Sequence, residues 1–130
     1  MLPATLCKKA DDMMKFICYP KCTTCKKAKA FLDSIGVEYE LIDIKQQNPN
    51  FEQLCLWVKA SGLPVKKFFN TSGLLYKSMG LKDRLADMSD EQKLHLLATD
   101  GMLIKRPLLI SDDFVLVGFK QSQWEEKFDI

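Results

Sequence analysis

Tyr19–Leu32 reads YPKCTTCKKAKAFL, and it lies between Lys15–Tyr19 (KFICY) and Val37–Ile44 (VEYELIDI). KFICY is short, apolar and bounded by Pro20, which predicts a buried strand. Beyond it, Cys25, Ala28, Phe31, Leu32 and Ile35 recur near the 3.6-residue helical period, and Gly36 supplies the stop. VEYELIDI alternates as a strand does, with Val37, Tyr39, Leu41 and also Ile42 apolar. Strand, helix and strand in that order predict a parallel pair joined by a crossover helix.

The two thiols at the mouth of that helix, Cys22 and Cys25, have four readings. They are a metal clip, a redox pair, one reactive thiol with a helper, or two core residues. Unpaired N–H groups and the helix dipole favour a thiolate in a first turn. Lys21, Lys26, Lys27 and Lys29 add positive potential, and the thiolate is the nucleophilic form of cysteine. Cys25 shares the face of Ala28 and Leu32 and is expected to point inward. Cys22 precedes the helix and is the expected attacker, with Cys25 placed to resolve a mixed disulfide. A zinc site needs about four ligands. Cys18 and Cys55 fall in predicted core elements, and His95 is the only histidine. From Cys18 to Cys25 the spacing is C-x-x-x-C-x-x-C, which resembles the cluster motif of radical SAM enzymes. Cys18 lies in a strand rather than a loop, however, and the chain is short for the barrel of those enzymes. The redox pair is the leading reading.

The rest of the chain fits one domain. Its 130 residues are 47% apolar and 28% charged, an ordinary globular composition and enough for a single core. A net charge of +2 is too small to argue for a nucleic-acid or acidic membrane partner. Trp57 and Trp124 are not interleaved with basic residues as a nucleic-acid surface would require. No apolar run reaches the ~20 residues that span a bilayer, and the first residues lack the apolar core of a secretory signal. The expectation is a cytoplasmic protein whose cysteines are thiols rather than a disulfide frame. Residues 1–12 read as a loose extension carrying Cys7, and 13–130 as the domain.

Asn48-Pro49 is expected to open a second helix, with Phe51, Leu54, Cys55 and Val58 on one face and Gly62 as its stop. Two further helices are expected over 74–86 and 89–99, the latter with a Ser89–Gln92 capping-box spacing and Gly101 as its stop. Arg106–Ile110 (RPLLI) and Phe114–Phe119 (FVLVGF) flank Ser111-Asp112-Asp113 and predict a hairpin. A last helix is expected from Gln121 to Phe128. The order βαβ, helical block, ββα predicts an α/β sandwich of about four strands with helices inserted in the middle.

Three segments together carry a resemblance to a known family. They are YPKCTTCKKAKAFLDSIGVEYELIDI, SGLPVKKFFNTSG followed by Tyr76, and LLATDGMLIKRPLLI followed by FVLVGFK. Over about residues 14–128 the chain resembles the arsenate reductase-like branch of the thioredoxin superfamily, which includes the Spx/MgsR group. The resemblance implies a thioredoxin-like (glutaredoxin-like) mixed sheet with an inserted helical subdomain. It implies that Cys22 is the nucleophile, that Arg106 binds an oxyanion and that Pro107 is a cis proline beside the cysteine. It also implies no bound cofactor, the reductant being an external thiol such as glutathione, glutaredoxin or thioredoxin.

Arsenate-reducing members carry two further arginines around the anion. Here Lys66 and Phe119 stand where those are expected. Lysine is a point charge without the bidentate fork of arginine, and phenylalanine supplies no charge. Cys25, in turn, is shared with Spx-like members. Expectation therefore moves from arsenate toward thiol–disulfide chemistry, with a redox-sensing regulator that contacts RNA polymerase as the alternative. Lys66 and Lys67 are read either as facing the site or as a solvated pair. Asn70 and Thr71 are read as turn residues, Cys55 as a small core hydrophobe and His95 as a surface residue.

Overall fold

The computed structural model describes residues 13–130, so the expected extension at 1–12, with Cys7, lies outside the described residues. Four strands form one mixed sheet in the order β2-β1-β3-β4. They are β1 (Met14–Cys18), β2 (Tyr39–Asp43), β3 (Leu108–Ile110) and β4 (Val115–Val117). β1 runs parallel to β2, as the crossover predicts, and antiparallel to β3, which pairs antiparallel with β4. The six α-helices among the described residues are α1 (Thr23–Ile35), α2 (Phe51–Ser61), α3 (Leu74–Ser78), α4 (Leu81–Arg84), α5 (Asp90–Leu97) and α6 (Gln121–Lys127). No helix among them is long and apolar enough to cross a membrane.

Strand alternation divides the core into two layers. Phe16, Cys18, Leu109 and Leu116 face α1 and α6, where they meet Cys25, Ala28, Phe31, Leu32 and Trp124. Ile17, Leu108 and Val115 face the opposite way, onto Leu54, Trp57, Phe68, Leu81, Leu97 and other residues of the inserted helical block. Each inner strand is thus apolar on both faces, because both faces are covered. β2 is an edge strand, and Leu41 is 53% exposed despite its place in the predicted alternation. Tyr39 and Val37 pack on the α1 side. Near Leu41, the start of α1 leaves a small apolar pocket instead of covering the strand.

Three predicted helix limits shift for local reasons. α2 is capped by Asn50, not opened by Asn48-Pro49. Asn50 Oδ1 accepts the Gln53 N–H at 2.8 Å, and Gln53 Oε1 accepts the Asn50 N–H at 3.0 Å. Asn48 instead donates its side-chain amide to the Ala98 carbonyl at 2.8 Å. The helix expected over 74–86 breaks at Gly80, which takes φ +63°, a left-handed conformation suited to glycine. α5 ends at Leu97, before Gly101. Gly101 opens a separate 3-10 turn, Gly101–Leu103, and a Cβ there would meet the Ile44 carbonyl and the Asn48 side chain.

Candidate active site

The N-terminus of α1 is where β1 delivers the chain back to the surface. Cys22 is the N-cap of α1, with φ −85° and ψ 122°. A turn holds it, the Cys22 N–H donating to the Tyr19 carbonyl at 2.9 Å. The first-turn N–H groups have no side-chain cap, so the positive end of the helix is open beside the thiol. Cys22 is partly buried and lines a cleft of about 650 Å³. Cys25 is one turn further on, buried at 2% exposure among the apolar residues under α1. The predicted asymmetry of position is therefore present in the fold.

Cys25 is held protonated. A hydrogen bond to the Cys18 thiol pushes its titration far above the usual thiol range, and burial adds to this. The Tyr19 N–H also points at Cys25 Sγ, at 3.4 Å. The same contact with Cys25 lowers the Cys18 thiol against the opposing effect of burial. A thiol so firmly protonated is a poor first attacker.

Arg106 lines the same cleft. It precedes β3 through a cis Arg106–Pro107 peptide bond, and Pro107 is buried. Its guanidinium carbon sits 5.3 Å from the centre of the Tyr19 ring, within cation–π range. Nε and Nη1 are buried with no acceptor among the described residues. Leaving a buried donor unpaired costs about 1–3 kcal/mol.

Lys66 lies elsewhere. It is exposed on the 3-10 turn Val65–Phe68 and is not among the residues that line the cleft. Lys105 and Lys120 line it instead, with Thr24, Asn70, Phe119 and Gln123. Sequence reasoning missed the two lysines, although Lys105 adjoins Arg106 and Lys120 adjoins Phe119. Asn70 both lines the cleft and holds a turn, its carbonyl accepting the Gly73 N–H at 3.1 Å. Phe119 packs against Trp124 and Phe31, with ring centres 4.9 and 5.8 Å away. His95 is stacked on Phe51 at 3.9 Å, away from the cleft. Among the described residues no three His, Cys, Asp or Glu side chains converge so as to hold a metal ion.

A four-stranded mixed sheet with a C-x-x-C pair at the first helix and a cis proline opening β3 defines a thioredoxin-like thiol protein. The particular branch follows from the ArsC family model, which matches residues 18–127: the chain belongs to the ArsC family. It is 50% identical to the uncharacterized protein YusI of Bacillus subtilis (strain 168) over 115 residues, covering 88% of this chain and 98% of that one. The regulatory protein MgsR of the same organism is 22% identical over 87% of this chain and 88% of its own. A crystal structure described as a possible arsenate reductase from Streptococcus mutans UA159 superposes with a TM-score of 0.82. It is 45% identical and covers 92% of this chain and 99% of that one.

Proposed function

We propose that this protein is a cytoplasmic thiol oxidoreductase of arsenate reductase-like type whose preferred target is an anionic disulfide. The Cys22 thiolate attacks one sulfur and releases the other half as a thiolate. Cys25 then attacks the Cys22 sulfur, expels the first half and leaves a Cys22–Cys25 disulfide. An external thiol reductant, glutathione or a glutaredoxin- or thioredoxin-type protein, returns both cysteines to thiols. The observation that carries this reading is the shared cleft. Cys22 and Arg106 line the same space, and Arg106 has two buried nitrogens without an acceptor among the described residues. A substrate carboxylate is the natural partner for such a group.

Arsenate is a weaker fit. Arg106 offers the one guanidinium fork among the cleft residues, while Lys105 and Lys120 are exposed point charges and Phe119 is apolar. The direct test is turnover of oxidised glutathione and of arsenate by the wild type and by Cys22→Ser. Thiol consumption driven by the disulfide, lost in Cys22→Ser, is expected. Turnover retained in the variant would overturn the assignment. A second reading, an Spx-like redox-sensing regulator that contacts RNA polymerase, is favoured by the match to MgsR along most of both chains. Capture of polymerase that depends on oxidation, without disulfide turnover, would select it.

A further inference from the structure

The site contains a third thiol that the pair-based chemistry leaves unused. Cys18 ends β1, and its place in the strand alternation sends its side chain to the α1 side, with Phe16. There it is 6% exposed and packed in the same buried cluster as Cys25, with Cys22 against the edge of that cluster. Cys25 is thus the middle member of three thiols. The outer two open on different spaces. Cys22 lines the cleft with Arg106, whereas Cys18 and Cys25 line a separate apolar pocket of about 330 Å³ with Pro20 and Leu41.

We infer that Cys18 is a redox thiol of this site, which takes over the disulfide from Cys22 by exchange at Cys25. This rests on the proposed attack by Cys22. The exchange needs no further oxidant. Cys18 Sγ attacks Cys25 Sγ of the Cys22–Cys25 disulfide, the Cys18–Cys25 bond forms and the Cys22–Cys25 bond breaks. The electron pair leaves on Cys22, and the proton given up by Cys18 ends there or in solvent. Cys22 is then a thiol again while the oxidising equivalent is stored one layer deeper. An external dithiol of the class already named restores Cys18 and Cys25 and is itself oxidised to a disulfide.

Peptide mapping distinguishes the two disulfides, because Lys21 separates Cys18 from the other two. The reduced protein is exposed to oxidised glutathione, quenched in acid, alkylated in denaturant and digested with trypsin. The expected result is a disulfide-linked pair of peptides 16–21 and 22–26 with alkylated Cys22, and its loss in Cys18→Ala and in Cys22→Ser. A Cys22–Cys25 disulfide within peptide 22–26, with Cys18 alkylated at every time point, overturns the inference and leaves the proposed function standing. Glutathione held on Cys22 without any internal disulfide overturns the inference and the resolving step by Cys25, and leaves only the attack by Cys22 standing. Absence of any oxidised cysteine overturns both.

Discussion

Arg106 stacks on Tyr19 with Nε and Nη1 lacking acceptors among the described residues, so its removal is expected to act on substrate charge. Hydrogen bonds to charged groups are worth about 1.5–3 kcal/mol, roughly a ten- to hundredfold change in affinity. Arg106→Ala is therefore expected to raise KM for oxidised glutathione by that factor and to change little for the neutral bis(2-hydroxyethyl) disulfide. Equal losses on both would show that the arginine only supports the fold. Arg106→Lys should recover part of the effect, since the charge returns without the fork. At this scale the sequence placed Cys22 at the helix start and Cys25 on the inner face, the family resemblance pointed to Arg106, and Lys66 was read either as facing the site or as solvated. A residue's place along the chain does not report which wall it joins. Lys105 reaches the cleft because it precedes β3, and Lys66 is carried away on the 3-10 turn.

Elements are held by caps and by one polar cluster. The reciprocal Asn50–Gln53 bonds satisfy first-turn donors of α2. Asn50→Ala is expected to cost about 0.5–2 kcal/mol, read as a lower urea midpoint with unchanged slope. α1 is tied to β2 where Tyr39 Oη donates to Asp33 Oδ1 at 2.7 Å and Lys29 Nζ pairs with Asp33 Oδ2 at 2.9 Å. The Tyr39 hydrogen bond first, and Lys29 second, hold the Asp33 carboxyl below its ordinary value of 3.8. A carboxylate lowered in the folded state adds stability above that ordinary value, and the gain is lost as pH falls through the folded one. Asp33 is solvent-exposed, so the gain is small. In Tyr39→Phe, Tm should fall less steeply with acid below pH 3.8; superimposable Tm–pH profiles would show that the cluster contributes nothing. The capping box at Ser89–Gln92 was legible because it is local. Gly101 was misread as a helix stop because its role is to let Ile44 and Asn48 approach.

For the molecule as a whole, two contacts fix how the layers meet. Trp124 is fully buried against Phe16, Phe31 and Phe119, and its Nε1–H donates to the Gly118 carbonyl at 3.2 Å. Trp124→Ala should cost about 3–5 kcal/mol and loosen the cleft wall that contains Phe119. Both effects would be seen in the denaturation midpoint and in lower kcat/KM at temperatures where the variant is folded. Gly101→Ala should cost about 1–3 kcal/mol through the backbone shift it forces. A variant as stable as wild type would show that the Ile44 loop can move aside.

The sequence by itself determined the order of elements, the inward place of Cys25 and the position of Cys22 at the helix start. Those follow from period and punctuation, which act over a few residues. The tertiary structure decided what the pair faces. Only packing brings Arg106 against Tyr19, sets Lys105 and Lys120 in place of Lys66, and puts Cys18 beside Cys25. The parity of β1 could have aimed Cys18 at α1, but its depth and its meeting with Cys25 depend on how helix and strand close on each other. Contacts between residues far apart in the chain are fixed by the packing of whole layers, which no local pattern encodes.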